Sequence, residues 1–416
     1  MKDPIVITGV GCVTPLGHSV DETWANLVAG KNAIGPIMRF DGSHFPCTFA
    51  AEVKAFEAPA LSGRLARWSD AKSRLAHAAA AQALVDAGLG RVPNPERFGV
   101  SVGAEVSRPR LPELANHLER IVRDGPERAY RATDPKDFAV MSAFYPATLV
   151  AAVAHAQGPN LTTSTACTSS AQSVGDALRV IRRGDADVML AGGTDRLVEE
   201  LMVMGFGLLG ALSTRNDEPT RACRPFDRTR DGFVLGEGAG FVVLERASHA
   251  AARGATARAT LEGYGCSANA WRITDSPPDG RGARTSMLNA LADARLDPDA
   301  IHYVNAHGTS TQQNDASETA GIHGAFGPHA GRLAISSTKS MMGHLVAACG
   351  AVELIVCVKA LEHQLAPPTI NYEYPDPACD LDYVPNVARP MRIDHAMTNA
   401  FGFGGSNGTL IVGPPP

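Results

Sequence analysis

Four short strings recur in the same order in the two halves of the chain. "ITGVGC" at residues 7–12 is echoed by "LEGYGC" at 261–266, and "ALVDAGL" at 83–89 by "ALADARL" at 290–296. "VSVG" at 100–103 is then answered by "NAHG" at 305–308, and "STAC" at 164–167 by "STKS" at 337–340. Ordered self-similarity over such a separation predicts a duplicated architecture, which restricts the chain to folds with two superposable halves. A pseudo-twofold axis would bring equivalent loops, remote in sequence, to one cleft. The offset between echoes shrinks along the chain, so the first half carries extra material, placed at about 104–145 and 195–258. The halves are read as 1–258 and 259–416.

Each echo has a shape. "PIVITGVG", "FGVSVG" and "HYVNAHG" are short apolar runs ending at glycine, the pattern of buried strands. "SRLAHAAAAQALVDAG" has helical spacing and stops at Gly88. Strands alternating with helices predict an α/β class with mostly parallel sheets covered on both faces.

Composition narrows the function. With 44% hydrophobic and 19% charged residues, the 416-residue chain has ample material for a core, and its net charge of −5 argues against nucleic-acid binding. No apolar run reaches the length of a membrane span. A strand begins within four residues of Met1, so no signal peptide is expected. Eight scattered cysteines without a CxxC pair read as reduced thiols of a cytoplasmic protein, and no ligand spacing points to a metal.

Cys167 stands in "TSTACTSSAQ", among small hydroxylic residues just before a helix. A structural cysteine sits among aliphatic neighbours, whereas this setting admits another molecule. A cysteine at the helix N-terminus would have its thiolate stabilised and its pKa lowered, and the free N–H groups would hold an oxyanion. Two loops of the second half, "NAHGTSTQQNDASE" and "SSTKSMMGHLVAACGAVE", each set a histidine beside a glycine, His307 and His344. The turn before His344 is taken as the equivalent of the Cys167 turn. The repeat steers all three residues toward one place, a workable set for nucleophilic catalysis with oxyanion stabilisation. His77, His302 and His363 read as ordinary hydrogen-bonded histidines. "GVGCVTPLG" lacks the GxGxxG spacing of a dinucleotide site, and "FGFGGSNG" precedes a strand rather than a helix.

"TACTSS", "DADVMLAGGTD", "RPFDRTRDGFVLGEGAG", "NAHGTST", "SSTKSMMGH", "PPTIN" and "FGFGGSNG" stand in the order found in β-ketoacyl-acyl-carrier-protein synthases of the thiolase-like superfamily, which the chain resembles over nearly its whole length. The resemblance implies a duplicated five-layer α/β/α/β/α fold and an acyltransferase with a Cys-His-His site. Cys167 would carry the acyl group as a thioester. His307 and His344 would assist decarboxylation of malonyl-carrier protein, and the resulting enolate would extend the chain by two carbons. The backbone N–H groups of Cys167 and Phe403 would form the oxyanion hole. Thr309 and Thr311 would hold the pantetheine arm, with Phe401 also lining the substrate path. Lys339 with Asp315, Glu318 and Glu353 resembles a buried charge cluster, and "GFGG" around Phe403 a gating loop. No cofactor is implied, since phosphopantetheine arrives on the carrier protein.

Where the family's elongation enzymes have a glycine-rich run, this chain has "GAEVSRPR", which places Glu105 and Arg108 among candidate acyl-contacting residues. This departure, with "TQQNDASETA" and "CDLDYVP", resembles the ketosynthase subunit of type II polyketide synthases and leans the reading toward a polyene or aromatic polyketide pathway over fatty-acid elongation. A homodimer and a heterodimer with a homologous chain-length subunit both stay open. Acidic carrier proteins require a basic docking patch, for which Arg64, Arg67, Lys72 and Arg74 are the candidates. A thiolase-like enzyme acting without decarboxylation and a non-catalytic acyl-binding subunit are the rival readings.

Overall fold

The computed structural model describes residues 3–61, 63–90, 92 and 94–416, without side-chain detail at 137 and 138. Ten strands form the main sheet. The first half contributes β1 (Ile5–Val13), β2 (Phe98–Ala104), β3 (Asn160–Thr163), β4 (Val188–Arg196) and β5 (Glu237–Arg246). The second contributes β6 (Ala259–Ala268), β7 (Tyr303–Asn305), β8 (Ala334–Ser336), β9 (Ala396–Phe401) and β10 (Ser406–Gly413). The spatial order is β8-β7-β9-β10-β6-β1-β5-β4-β2-β3, so each half repeats one topology, mirrored about the β1–β6 seam. That seam is only two residue pairs long, Val6 with Thr260 and Ile7 with Ala259.

The sheets are mixed rather than mostly parallel. β2 runs parallel to β3 and β4, and β7 parallel to β8 and β9. The last two strands of each half return antiparallel, as β4–β5–β1 and β9–β10–β6. The apolar runs of parallel and antiparallel strands look alike when both faces are covered, so sequence pattern does not separate them. β5, counted with inserted material from the sequence, is a fully internal strand of the first half.

Helices α1 (Ala71–Asp86) and α2 (Tyr145–Ala154) cover the outer face of the first half. α3 (Ser169–Arg183) lies in the middle layer. α4 (Arg281–Ala294) and α5 (Gln312–Phe326) cover the outer face of the second half, and α6 (Cys349–His363) joins α3 between the two sheets. The result is five layers, α/β/α/β/α. α6 is buried on all sides from Cys349 to Leu361, as a helix enclosed by sheets must be. α3 and α6 approach so closely that a Cβ on Gly350 would lie 2.6 Å from Ala171 Cβ.

The GxG echoes have a packing cause. A Cβ at Gly11 would meet the Ala79 carbonyl oxygen of α1 at 2.1 Å, and one at Gly265 the Ser286 carbonyl oxygen of α4 at 2.1 Å. In both halves the outer helix rides directly on strand backbone, which only glycine permits. Asp70 starts α1 by accepting from Ser73 N at 2.8 Å.

Strand register corrects two of the echoes. Carried from Gly11 and Gly265 through Phe241 and Thr409, then Gly192 and Asn399, the register equates Val102 with Ala306, so Gly103 corresponds to His307 rather than Gly308. After β8 a short helix, Lys339–Met342, and His344 intervene before the next turn. The turn equivalent to Ala166–Thr168 is Val346–Ala348, after His344 and not before it. Both turns open on a non-glycine residue in the left-handed region, Ala166 at φ 52° and Val346 at φ 47°.

Candidate active site

Cys167 sits in a single 3₁₀ turn between β3 and α3, held by the hydroxyls around it. Thr165 N donates to Ser169 Oγ at 2.8 Å, and Thr168 Oγ1 donates to the Thr165 carbonyl at 2.8 Å. These bonds stabilise a tight turn whose first residue has positive φ, which answers why the segment is hydroxylic. Backbone amides of Cys167 and Phe403 point at the sulfur. The Phe403 loop lies close because Gly402 has no side chain: a Cβ there would approach the Thr165 carbonyl oxygen to 2.9 Å.

His307 follows β7. Its N–H and that of Gly308 donate to the two carboxylate oxygens of Glu318 on α5, at 2.9 and 2.8 Å. His344 is fixed by a backbone bridge: its N–H donates to the Val234 carbonyl at 2.7 Å, and its carbonyl accepts from Gly236 N at 2.9 Å. Val346 N donates to His344 Nδ1 at 3.1 Å, so the ring proton sits on Nε2, and the Cys349 thiol lies 3.1 Å from the same Nδ1. The imidazoles meet edge to face at 5.3 Å between centroids. Ligand-type atoms of Cys167, His307 and His344 all lie within 4.8 Å of one another.

Burial sets the charge states. Both imidazoles are driven well below the ordinary histidine range by desolvation, reinforced by the Lys339 ammonium. They are neutral N–H donors at physiological pH. The Cys167 thiol is not lowered as a helix N-terminus alone would lower it. Burial pushes it up to about 12, with Lys339 and the Phe403 amide opposing and Glu105 adding to the rise. Lys339 is fully buried with Nζ 2.5 Å from Glu353 Oε1. Burial would discharge the ammonium, but Glu353, Cys349 and Glu318 together oppose it and the Lys339 pKa rises.

A cavity of about 280 Å³ joins these groups to the surface. Cys167, His307, His344, Thr309, Thr311, Phe401 and Phe403 all line it. Thr309 Oγ1 and Thr311 Oγ1 are 2.9 Å apart on its wall. Other expected residues fall elsewhere. Glu318 orders the His307 backbone and Asp315 pairs with Arg230 at 3.6 Å, so of the three acids only Glu353 contacts Lys339. Arg108 is exposed, with its guanidinium against Met202 Sδ, and does not line the cavity. Glu105 does not line it either; its carboxylate bonds to the Cys167 turn from behind. Arg64, Arg67 and Arg74 are exposed, but Lys72 is buried with Nζ donating to the Glu105 carbonyl, which removes it from any docking patch.

Sequence reasoning missed Phe233, which packs on His344 at 5.3 Å, and Phe206, which lies 6.1 Å from Phe403. Phe233 stands inside the motif "RPFDRTRDGFVLGEGAG"; nothing in its local sequence marks Phe206.

A duplicated five-layer fold with one thiol facing two neutral imidazoles defines a thiolase-like condensing enzyme. The chain matches the family models for the beta-ketoacyl synthase N-terminal domain over residues 2–250 and the C-terminal domain over 258–373. It is 44% identical over 413 residues to the 3-oxoacyl-[acyl-carrier-protein] synthase 2 of Coxiella burnetii, spanning 99% of this chain and 98% of the relative. It superposes on a beta-ketoacyl synthase from Burkholderia phymatum with a TM-score of 0.91 and 36% identity over 100% of both chains. It also superposes, with a TM-score of 0.88 and 33% identity over 100% of both chains, on a chain from a complex of a type II polyketide synthase acyl-carrier protein with its hexaketide-bound ketosynthase. This chain belongs to the β-ketoacyl synthase family. No helix among the described residues is long and apolar enough to cross a membrane.

Proposed function

We propose that the protein catalyses decarboxylative condensation of an acyl group held on Cys167 with a malonyl group delivered by an acyl carrier protein. The observation that carries this reading is the convergence of Cys167 with two neutral, oriented imidazoles at the end of one cavity. The carrier's pantetheine thioester enters past Thr309 and Thr311. The Cys167 sulfur attacks the acyl carbonyl, its oxyanion is held by the Cys167 and Phe403 amides, and the carrier thiol leaves with the proton. Malonyl-carrier protein then binds with its thioester carbonyl on the N–H groups of His307 and His344. Loss of carbon dioxide leaves an enolate stabilised by those donors. Its carbanion attacks the acyl-Cys167 carbonyl, the new carbon–carbon bond forms and the Cys167 thiolate departs. Neutral donors suit this step because the substrate's own carboxylate leaves as carbon dioxide and no base is needed.

The curated relative at 44% identity is a 3-oxoacyl-[acyl-carrier-protein] synthase 2, whereas the polyketide ketosynthase structure is 33% identical. That difference supports chain elongation over the polyketide pathway toward which the sequence leaned. Docking of the acidic carrier protein is assigned to Arg64, Arg67 and Arg74. The functional subunit is either a homodimer or a heterodimer with a homologous chain, which sedimentation of the purified protein alone distinguishes.

Intact-mass measurement after exposure to acyl-carrier proteins of graded length should show one acyl adduct, lost in Cys167→Ala. The same variant should form no condensation product with malonyl-carrier protein. Condensation that survives in Cys167→Ala refutes the assignment.

A further inference from the structure

The residue that replaces the expected glycine-rich run also touches the nucleophile turn. Glu105 follows β2, two residues beyond Gly103, the last residue of that strand to pair with β3. Its Oε1 accepts from Ala166 N at 2.9 Å and from Ser164 Oγ at 3.1 Å, and Ser169 Oγ lies 3.3 Å from the same oxygen. These residues immediately flank Cys167. Ala166 is the strained one, at φ 52°, so its N–H is the group whose fixing matters most. The equivalent residue of the second half, Val346, has its N–H fixed by the neutral His344 Nδ1. The two turns thus share a latch that differs in charge: a neutral imidazole nitrogen accepts on one side, a carboxylate on the other.

Behind Glu105 the layer is polar and buried. Lys72 donates to the Glu105 carbonyl, and Asp195 accepts from Ala347 N at 3.2 Å. The charged and titratable groups facing Cys167 are Lys339 from the second half, Glu105 from the first, the His307 and His344 rings, and the Cys349 thiol.

We propose that Glu105 is a positioning residue for the nucleophile: its carboxylate latches the Cys167 turn through Ala166 and Ser164, and its negative charge adds to the burial that keeps the thiol protonated until an acyl thioester occupies the amides of Cys167 and Phe403. This rests on Cys167 being the acylated residue. The charge acts against Lys339, so the resting site is poised between one cation and one anion. An arriving thioester engages the amides, and attack then proceeds with proton loss to the departing thiol.

The test separates charge from latch. Glu105→Gln keeps an acceptor oxygen for Ala166 and Ser164 but removes the charge. The rate of iodoacetamide capture at Cys167, located by peptide mass mapping, is followed between pH 6 and 9.5. Glu105→Gln should move this profile to lower pH by about half a unit to one unit, roughly three- to tenfold faster capture at pH 7.5. Glu105→Ala loses the latch as well, and its acylation by octanoyl-pantetheine should fall about tenfold with the circular dichroism spectrum unchanged. Coincident profiles for wild type and Glu105→Gln overturn the proposal, as does wild-type acylation by Glu105→Ala. If wild type is never acylated at Cys167, the condensing reading fails, while the alkylation profiles still decide the role of Glu105.

Discussion

Replacing Lys339 by methionine tests whether the site's electrostatics rest on one buried ion pair. Lys339 and Glu353 are both fully buried, with Nζ and Oε1 2.5 Å apart. Glu353 Oε2 has no hydrogen-bond partner among the described residues, so the carboxylate depends on Lys339 for its charge. Removing one member of such a pair strands the other, at about 3–5 kcal/mol. The stranded carboxylate escapes by taking a proton, which makes the loss depend on pH. Burial already pushes the Glu353 carboxyl up, and Lys339 pulls it back. Without Lys339 the folded-state pKa rises further, while the unfolded value stays near 4.3. An acid whose folded pKa is raised destabilises progressively as pH climbs from the unfolded toward the folded value.

The wild-type Glu353 carboxyl, itself raised to about 7, shares the slope of about 1.4 kcal/mol per pH unit below that value, so Lys339→Met should lose roughly 1.4 kcal/mol more, relative to wild type, at pH 8.0 than at pH 5.5. Urea unfolding followed by tryptophan fluorescence at the two pH values reads this difference directly. A ΔΔG that is the same at both refutes the reasoning, because it means that Glu353 finds another partner or water when Lys339 is gone. The variant carries a second signature at the site. Lys339 helps to hold both catalytic imidazoles below the ordinary histidine range, so its loss should bring malonyl decarboxylation under acid control at a higher pH than in wild type.

Two further outcomes are expected. In the wild type, carbon dioxide release from malonyl-carrier protein should be flat between pH 6 and 8, since desolvation keeps His307 and His344 neutral throughout; a half-titration near 6.5 contradicts their assignment as neutral donors. Gly11→Ala and Gly265→Ala should each lose about 3 kcal/mol or more in thermal unfolding, because both drive a methyl into helix backbone at 2.1 Å, whereas Gly331→Ala, with open space around it, should keep the wild-type midpoint. A wild-type midpoint for either of the first two removes the packing explanation of the GxG echoes.

Those echoes show what kind of information a sequence carries about a duplicated fold. "GVGC" and "GYGC" were legible because close approach of a helix to a strand leaves no choice but glycine, and the same constraint acts twice. Cys167, His307 and His344 were legible because loops at equivalent strand ends converge under the pseudo-twofold. Their charge states were not. Helix-end chemistry alone suggests a lowered thiol pKa, but desolvation depends on what the other half stacks over the sulfur, and here it wins by a wide margin. Partners within the acidic cluster were hidden for a related reason: Asp315 and Glu318 are three residues apart on one helix face, yet one meets Arg230 from the inserted segment and the other a loop backbone. Lys72 shows the limit most plainly, since its place in a basic run reads as surface while in the first turn of α1 it is buried and its ammonium donates to the Glu105 carbonyl after β2. Register, invisible until strands pair, shows that equivalent positions of the two halves carry different residues at the site. The position equivalent to His307 is Gly103, and the position equivalent to the nucleophile is Ala347. One half therefore supplies the sulfur and the other the proton donors, and neither half holds a complete site.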